Sequence, residues 1–371
     1  MTLITMQARI HFASDVLEEA LRAELEERNV RDLVIVREVA YGADETASRV
    51  SASLPKQVRS HTLALNGEAV TQTLGPKSLM RDMTEAHFDC IVAFGSQRAI
   101  NEGRIIRHTI AKRRYGAHPA DQRRLLKESD FLPDFMAIPG IDGLPDPHFA
   151  TQDRPSGPSF ALPSVIICDP TLTLHPDPDA LAHAFVIALT RCLEALCARG
   201  FNPVADGLAI EGLRRLVAVR HVLPSISDEQ SEETALTISR DLMAAQLSGA
   251  MAIQKGPGFV ETFGKTLSNR ASKQVDPAAV QRILLPRVLA EPNVCPLSQE
   301  SVIRHIFGFS RDRPLSEGLN ALLAPLGLKS ALRDLDIERS DLAETAESLF
   351  ARSNIPMPDP ERINAMLEAA Y

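Results

Sequence analysis

Val165-Ile166-Ile167-Cys168-Asp169-Pro170-Thr171-Leu172-Thr173-Leu174 is a short β-rich run that ends at an Asp-Pro pair, and Asp179-Ala180-Leu181-Ala182-His183 follows it in a helix-forming stretch. The pattern predicts a strand, a sharp exit and then a helix. Residues four apart on a helix lie one turn apart on one face, so Asp179 and His183 could together hold a divalent cation. Solvated helix faces carry the same spacing by chance, and the pair alone assigns nothing.

Working outward, the residues before this stretch alternate β-rich runs with helical periodicity. Strands are expected at Gln7 to Phe12, Leu33 to Val36, Thr62 to Leu65, Ile91 to Phe94, Met136 to Ile138 and Val165 to Cys168. Helices are expected at Ser14 to Arg28, Pro76 to Ala86 and Ala99 to Lys112, and the Pro-, Asp- and Gly-rich segment from Pro139 to Pro158 reads as a loop. Such alternation argues for a parallel sheet with crossover helices. After Leu174 the strand signals stop. Pro178 to Arg199 is an amphipathic helix closed by Gly200, and further helices are expected near Asp206 to Val219, Glu232 to Ile253, Pro277 to Leu289, Ser298 to Phe307, Leu315 to Leu326, Arg339 to Ala351 and Pro360 to Ala370. The fold class is therefore α/β, with a doubly wound, Rossmann-like parallel-sheet domain over residues 1–174 and an all-helical domain over residues 175–371. The site is expected in the cleft between them.

A chain of 371 residues, 44% hydrophobic and 24% charged, has ordinary globular composition and room for two cores. No leader-like segment and no bilayer-length apolar run stand out, so the expected address is the cytoplasm and no membrane partner is expected. The five cysteines, Cys90, Cys168, Cys192, Cys197 and Cys295, form no C-x-x-C pair, which argues against a catalytic thiol. A formal charge of -8 argues against nucleic-acid binding. Within this acidic chain Arg98, Arg104, Arg107, Lys112, Arg113, Arg114, Arg123, Arg124 and Lys127 form a basic excess. It reads either as a solvated helix face or as a rim that attracts a phosphate-bearing ligand.

The quoted exit and helix resemble the iron-containing (group III) alcohol dehydrogenase family, which includes maleylacetate reductases and is related to dehydroquinate synthases. There a P-x-V-I-x-D-P-x-L-T-L exit leads into a D-A-L-x-H helix that supplies two metal ligands. Ala8-Arg9-Ile10-His11-Phe12, Asp32-Leu33-Val34-Ile35-Val36, Phe88-Asp89-Cys90-Ile91-Val92-Ala93-Phe94-Gly95, Leu285-Pro286 and the C-terminal helical pattern from Ala331 extend the likeness over most of the chain. The resemblance implies a dinucleotide (NAD or NADP), a divalent metal, a small-molecule substrate and a homodimer.

The residues that would carry this chemistry are partly changed. Where the family has Gly-Gly-Gly-Ser-x-x-Asp-x-x-Lys, this chain has Gly95, Ser96, Gln97, Arg98, Ala99, Ile100, Asn101, Glu102, Gly103 and Arg104. Ser96 and Gln97 add side chains where a pyrophosphate would lie, and Arg98 can offset this by pairing with a phosphate. Glu38, at the end of the second strand, stands where the resemblance implies an acid on a ribose hydroxyl. The candidate cofactor-binding residues are thus Glu38, Gly95, Ser96, Gln97, Arg98 and Asn101. Gly140-Ile141-Asp142-Gly143 replaces a Thr- and Ser-rich segment that lines the cofactor in the family.

At the metal site Asp179 and His183 match the first two ligands. The family's G-L-G-x-V-H-x-x-x-H becomes Gly256-Pro257-Gly258-Phe259-Val260-Glu261-Thr262-Phe263-Gly264-Lys265, so Glu261 replaces the third ligand and Lys265 a neighbouring histidine. The fourth position falls near Val275 or Asp276. Two readings compete. Asp179, His183 and Glu261, with Asp276, could form an oxygen-rich site for Mg or Mn. Alternatively, the Lys265 ammonium could take the cation's place and neutralise Asp179 and Glu261. The candidate catalytic residues are Lys265 and His183. The expected function is an NAD(P)-dependent oxidoreductase acting on a small alcohol, aldehyde or keto acid. The alternative is a catalytically silent relative that binds a small anion or a protein, and a non-redox enzyme on the same fold is a third reading.

Overall fold

The structure is a computed structural model, which describes residues 8–38, 43–65, 88–123, 125–141, 143, 163–174, 177–223, 231–256, 258–270, 275–349 and 360–371. The chain divides into two compact units, one from Thr5 to Leu174 and one from His175 to Tyr371.

Among its described residues the first unit holds six strands, β1 (Arg9–Phe12), β2 (Asp32–Glu38), β3 (Arg59–Leu65), β4 (Cys90–Gly95), β5 (Asp134–Pro139) and β6 (Val165–Cys168). They form one parallel sheet in the order β1-β6-β5-β4-β2-β3. Alternate residues feed opposite faces, as the two-residue period of a strand requires. Leu33 and Ile35 pack with Leu17, Leu21 and Leu25 of helix α1 (Leu17–Glu27) and Val50 of α2 (Ala43–Ala52). Val34 and Val36 pack instead with Ala99, Ile100 and Ile106 of α3 (Gln97–Gly116). Both faces of the sheet are covered, which is why Ile91-Val92-Ala93-Phe94 reads as an unbroken apolar run.

The Asp-Pro exit ties this unit together. Asp169 has no exposed surface, and its carboxylate accepts the N–H groups of Asp15 (3.0 Å), Leu17 (3.2 Å) and Thr171 (3.0 Å), the Thr171 hydroxyl (2.6 Å) and Arg49 (3.2 Å). One side chain at the end of β6 therefore caps α1 and anchors α2. It also explains why α1 begins at Leu17 and not at Ser14, since Asp15 is turned into the left-handed region, with φ 58°. The expected helix Pro76 to Ala86, residue Gln7 and most of the Pro139 to Pro158 loop lie outside the described residues.

In the second unit every described regular element is helical: α4 (Pro178–Cys197), α5 (Pro203–Val219), α6 (Glu232–Ala252), α7 (Phe259–Arg270), α8 (Pro277–Ala290), α9 (Leu297–Phe307), α10 (Leu315–Leu323), α11 (Arg339–Leu349) and α12 (Pro360–Ala370). Helix α7 is an addition to the sequence reading. Helix α4 packs against α5, α6, α7 and α8. By length and composition it could cross a membrane, contrary to the sequence expectation, with a mean hydropathy of 1.6 over an 18-residue window. That window is 83% buried inside the protein, so the apolar surface is used as the unit's core.

The basic excess divides between a solvated face and a structural role. Arg104 and Arg107 are buried, Arg107 Nε donates to Pro133 O at 2.8 Å, and Arg114 Nη2 donates to Phe88 O at 2.5 Å. Arg107 and Arg114 thus fasten α3 to the chain entering β4 and β5, while Lys112, Arg113 and Lys127 are exposed, as a solvated face requires. Arg124 lies outside the described residues.

Candidate active site

In the first unit, β2 leads to β3 on one side while β4, β5 and β6 extend the sheet on the other, so the winding reverses between β2 and β4. Open parallel sheets bind ligands at the carboxyl ends of the strands flanking such a reversal. Glu38 ends β2 and Gly95 ends β4. Gly95 has φ +98°, and a Cβ built there meets nothing within 4 Å, so the turn opens on free space in front of α3. Gly143 is needed for closeness: a Cβ on it would lie 1.9 Å from Gly95 O, while Gly140 N–H donates to the same oxygen at 2.8 Å.

The six predicted cofactor residues lie together here. Ser96 caps α3, its hydroxyl accepting from Ala99 N–H at 3.3 Å. Gln97 donates to Asn101 Oδ1 at 3.3 Å, and Arg104 donates to the same oxygen at 3.1 Å. Arg98 Nε stands 3.8 Å from Glu38 Oε1. Ser96 and Gln97 thus bond along their own helix. The first turn of α3 holds no acid, so the helix dipole there favours an anion. These residues fit a dinucleotide pyrophosphate.

In the second unit the predicted residues divide into two groups. Asp179 lies exposed in the first turn of α4. His183 Nε2, one turn on, meets Asp276 Oδ2 at 2.9 Å. Asp276 also caps α8, accepting from Ala278 and Ala279 N–H at 2.9 and 3.2 Å. Burial pushes its carboxyl upward, but the His183 bond and charge and these N–H groups hold it below the usual range.

The second group surrounds Glu261, which is 2% exposed. Its Oε1 accepts from Arg191 Nε at 2.7 Å and from Lys265 Nζ at 2.7 Å. Glu194 lies close by, accepting from Val260 N–H at 2.6 Å and Glu261 N–H at 3.2 Å. It fills the space where Gly258 would carry a Cβ. Burial and the Glu261 charge push the Glu194 carboxyl up to about 8, against the pull of those two N–H groups. Arg191 and Glu194 were missed in the sequence. Their signal is a pair of opposite charges three apart in the buried half of an apolar helix.

No family model matches the chain. Among curated proteins it is 27% identical over 183 residues to a 4-hydroxybutyrate dehydrogenase of Cupriavidus necator, covering 47% of this chain and 46% of that protein. It is 28% identical over 218 residues to a maleylacetate reductase of Rhizobium sp., covering 58% of each. The chain spans about half the length of the curated relatives it matches. Among solved structures, a 1,3-propanediol oxidoreductase superposes with a TM-score of 0.74 at 18% identity over 100% of both chains. An iron-containing alcohol dehydrogenase from Thermococcus thioreducens superposes with a TM-score of 0.77 at 17% identity, over 100% of this chain and 99% of that one.

The fold is that of the iron-containing alcohol dehydrogenases. Its sequence neighbours are members of that family at low identity, consistent with a divergent member. On this fold the donor set offered to a metal does not fit. Among the described residues no three of His, Cys, Asp and Glu come together as a ligand group, and Glu261 is already held by two cations.

Proposed function

We propose that the chain is an NAD(P)-dependent oxidoreductase acting on a small alcohol, aldehyde or keto acid. The observation that carries this reading is the sheet reversal between β2 and β4, where Glu38, the open turn at Gly95 and the acid-free first turn of α3 meet. The relatives support the reaction class, being dehydrogenases or reductases of small molecules by name. When bound, the nicotinamide supplies or accepts a hydride.

The chain's own residues do the rest. The N–H groups opening α3 hold the pyrophosphate, Arg98 pairs with a phosphate oxygen, and Glu38 is placed to accept from a ribose hydroxyl. An acid at Glu38 favours NAD, since a 2'-phosphate there would face a carboxylate. In the helical unit, Lys265 and His183 are the groups we assign to the substrate, Lys265 stabilising negative charge on the substrate oxygen. The test is titration of the purified protein with NADH and NADPH, followed by nicotinamide fluorescence. NADH binding at least about tenfold tighter than NADPH is expected. Binding of neither cofactor at millimolar concentration overturns the reading.

A further inference from the structure

We infer that Arg191, Glu261 and Lys265 replace a bound divalent cation, so that a substrate oxygen at this place meets an ammonium and not a metal. The inference deepens the proposed activity and rests on it only for the word substrate. Its physical basis is the occupancy of one oxygen. Glu261 Oε1 accepts from Arg191 Nε and Lys265 Nζ, both at 2.7 Å. A hard or borderline cation on that oxygen would lie about 2.0–2.6 Å away, and its charge would fall within a few ångströms of both nitrogens. The guanidinium cannot deprotonate, and with Arg191 2% exposed no water shell screens it.

The remaining donors are committed elsewhere. His183 is engaged by Asp276, and Asp276 holds the first N–H groups of α8. Taking either as a ligand would break a pair or uncap a helix. Nor can Glu261 swing away easily. Glu194 grips the N–H groups of Val260 and Glu261, fixing the first turn of α7, and Lys265 follows one turn later on the same face. Two helices, α4 and α7, thus converge to keep a positive charge of the protein's own in this position. An ammonium donates hydrogen bonds in three directions and needs no coordination shell, so it suits a small carbonyl or carboxylate compound.

The test uses the purified full chain, first treated with chelator and desalted. It is titrated separately with Mn2+, Zn2+ and, without oxygen, Fe2+, and followed by calorimetry and by metal analysis after desalting. The unmodified chain should retain none of these ions. In the Lys265→Ala variant, which keeps the Arg191 pair and thus the core, one of the two positive charges on Glu261 is gone and its oxygen loses one donor, so Mn2+ should bind at least about tenfold more tightly than to the unmodified chain even with Arg191 in place. Lys265→Gln serves as the second variant, with circular dichroism to verify folding. One Mn, Zn or Fe per unmodified chain overturns the inference. So does a pair of folded variants as indifferent to metal as the parent, since the ammonium would then be holding no cation's place. NADH titration in the presence of chelator is read separately, so failure of the dinucleotide reading leaves these outcomes distinguishable.

Discussion

Arg191 and Glu261 are each about 2% exposed, and charges at that depth are tolerated only in pairs. Removing the guanidinium leaves the Glu261 carboxylate paired with Lys265, at the edge of the core. Arg191→Met should therefore destabilise the helical unit by about 3 kcal/mol, at the lower end of the cost of breaking a buried pair. Urea unfolding checks this, and a loss below about 1 kcal/mol would mean that Lys265 alone neutralises Glu261. Arg98 is a different kind of residue, partly exposed and 3.8 Å from Glu38. Arg98→Ala should leave folding nearly unchanged but weaken NADH binding by about 1–3 kcal/mol, the scale of a charge-assisted hydrogen bond to phosphate. Unchanged affinity by fluorescence titration removes Arg98 from the site.

At the scale of elements, the sequence fixes strands better than the ties between them. All six strands lie within a few residues of their expected positions, because a sheet buried on both faces writes itself as apolar runs. The role of Asp169 was not legible, since its partners Asp15, Leu17 and Arg49 stand more than a hundred residues away in sequence. Asp169→Ala should cost at least about 3 kcal/mol, because it removes the acceptor of the Asp15 and Leu17 N–H groups at the start of α1 and of Thr171, although Arg49 keeps its pair with Glu18. A loss under about 1 kcal/mol in urea unfolding would show that water replaces those bonds. A second tie joins β1 to α1, where Glu24 accepts from His11 at 2.6 Å and Arg9 at 3.1 Å and pairs with Arg28. Burial pushes the Glu24 carboxyl upward, yet these three partners bring it below its ordinary value. A depressed folded value means stability present above about pH 4.3 and lost as the pH falls through the folded value. Stability of the parent should decline with acidification below about pH 4.3, and Glu24→Gln should flatten that slope. An equal slope in the variant would assign the acid loss to other carboxylates.

For the molecule as a whole, the fold was legible and the charge cluster only in part. Glu261 and Lys265 could be paired from their one-turn spacing, but Arg191 lies 70 positions away and meets Glu261 only when α4 and α7 pack. The same long-range packing hides the thiols. Cys90 and Cys168 lie in the sheet and Cys192 in α4, each fully buried, and burial pushes Cys168 and Cys192 up to about 12 and Cys90 higher still. A thiol with so little thiolate and no access reacts only when its unit opens. Cys295 is partly exposed. In native buffer, Cys295 should therefore react with a thiol reagent at least about a thousandfold faster than Cys90, Cys168 or Cys192, in keeping with opening energies of several kcal/mol. Mass spectrometry of timed samples assigns each label to its residue. Rapid labelling of Cys192 would be the most damaging outcome, because this thiol is one residue from Arg191 on α4, and the ion pair with Glu261 cannot persist in a helix that opens that readily.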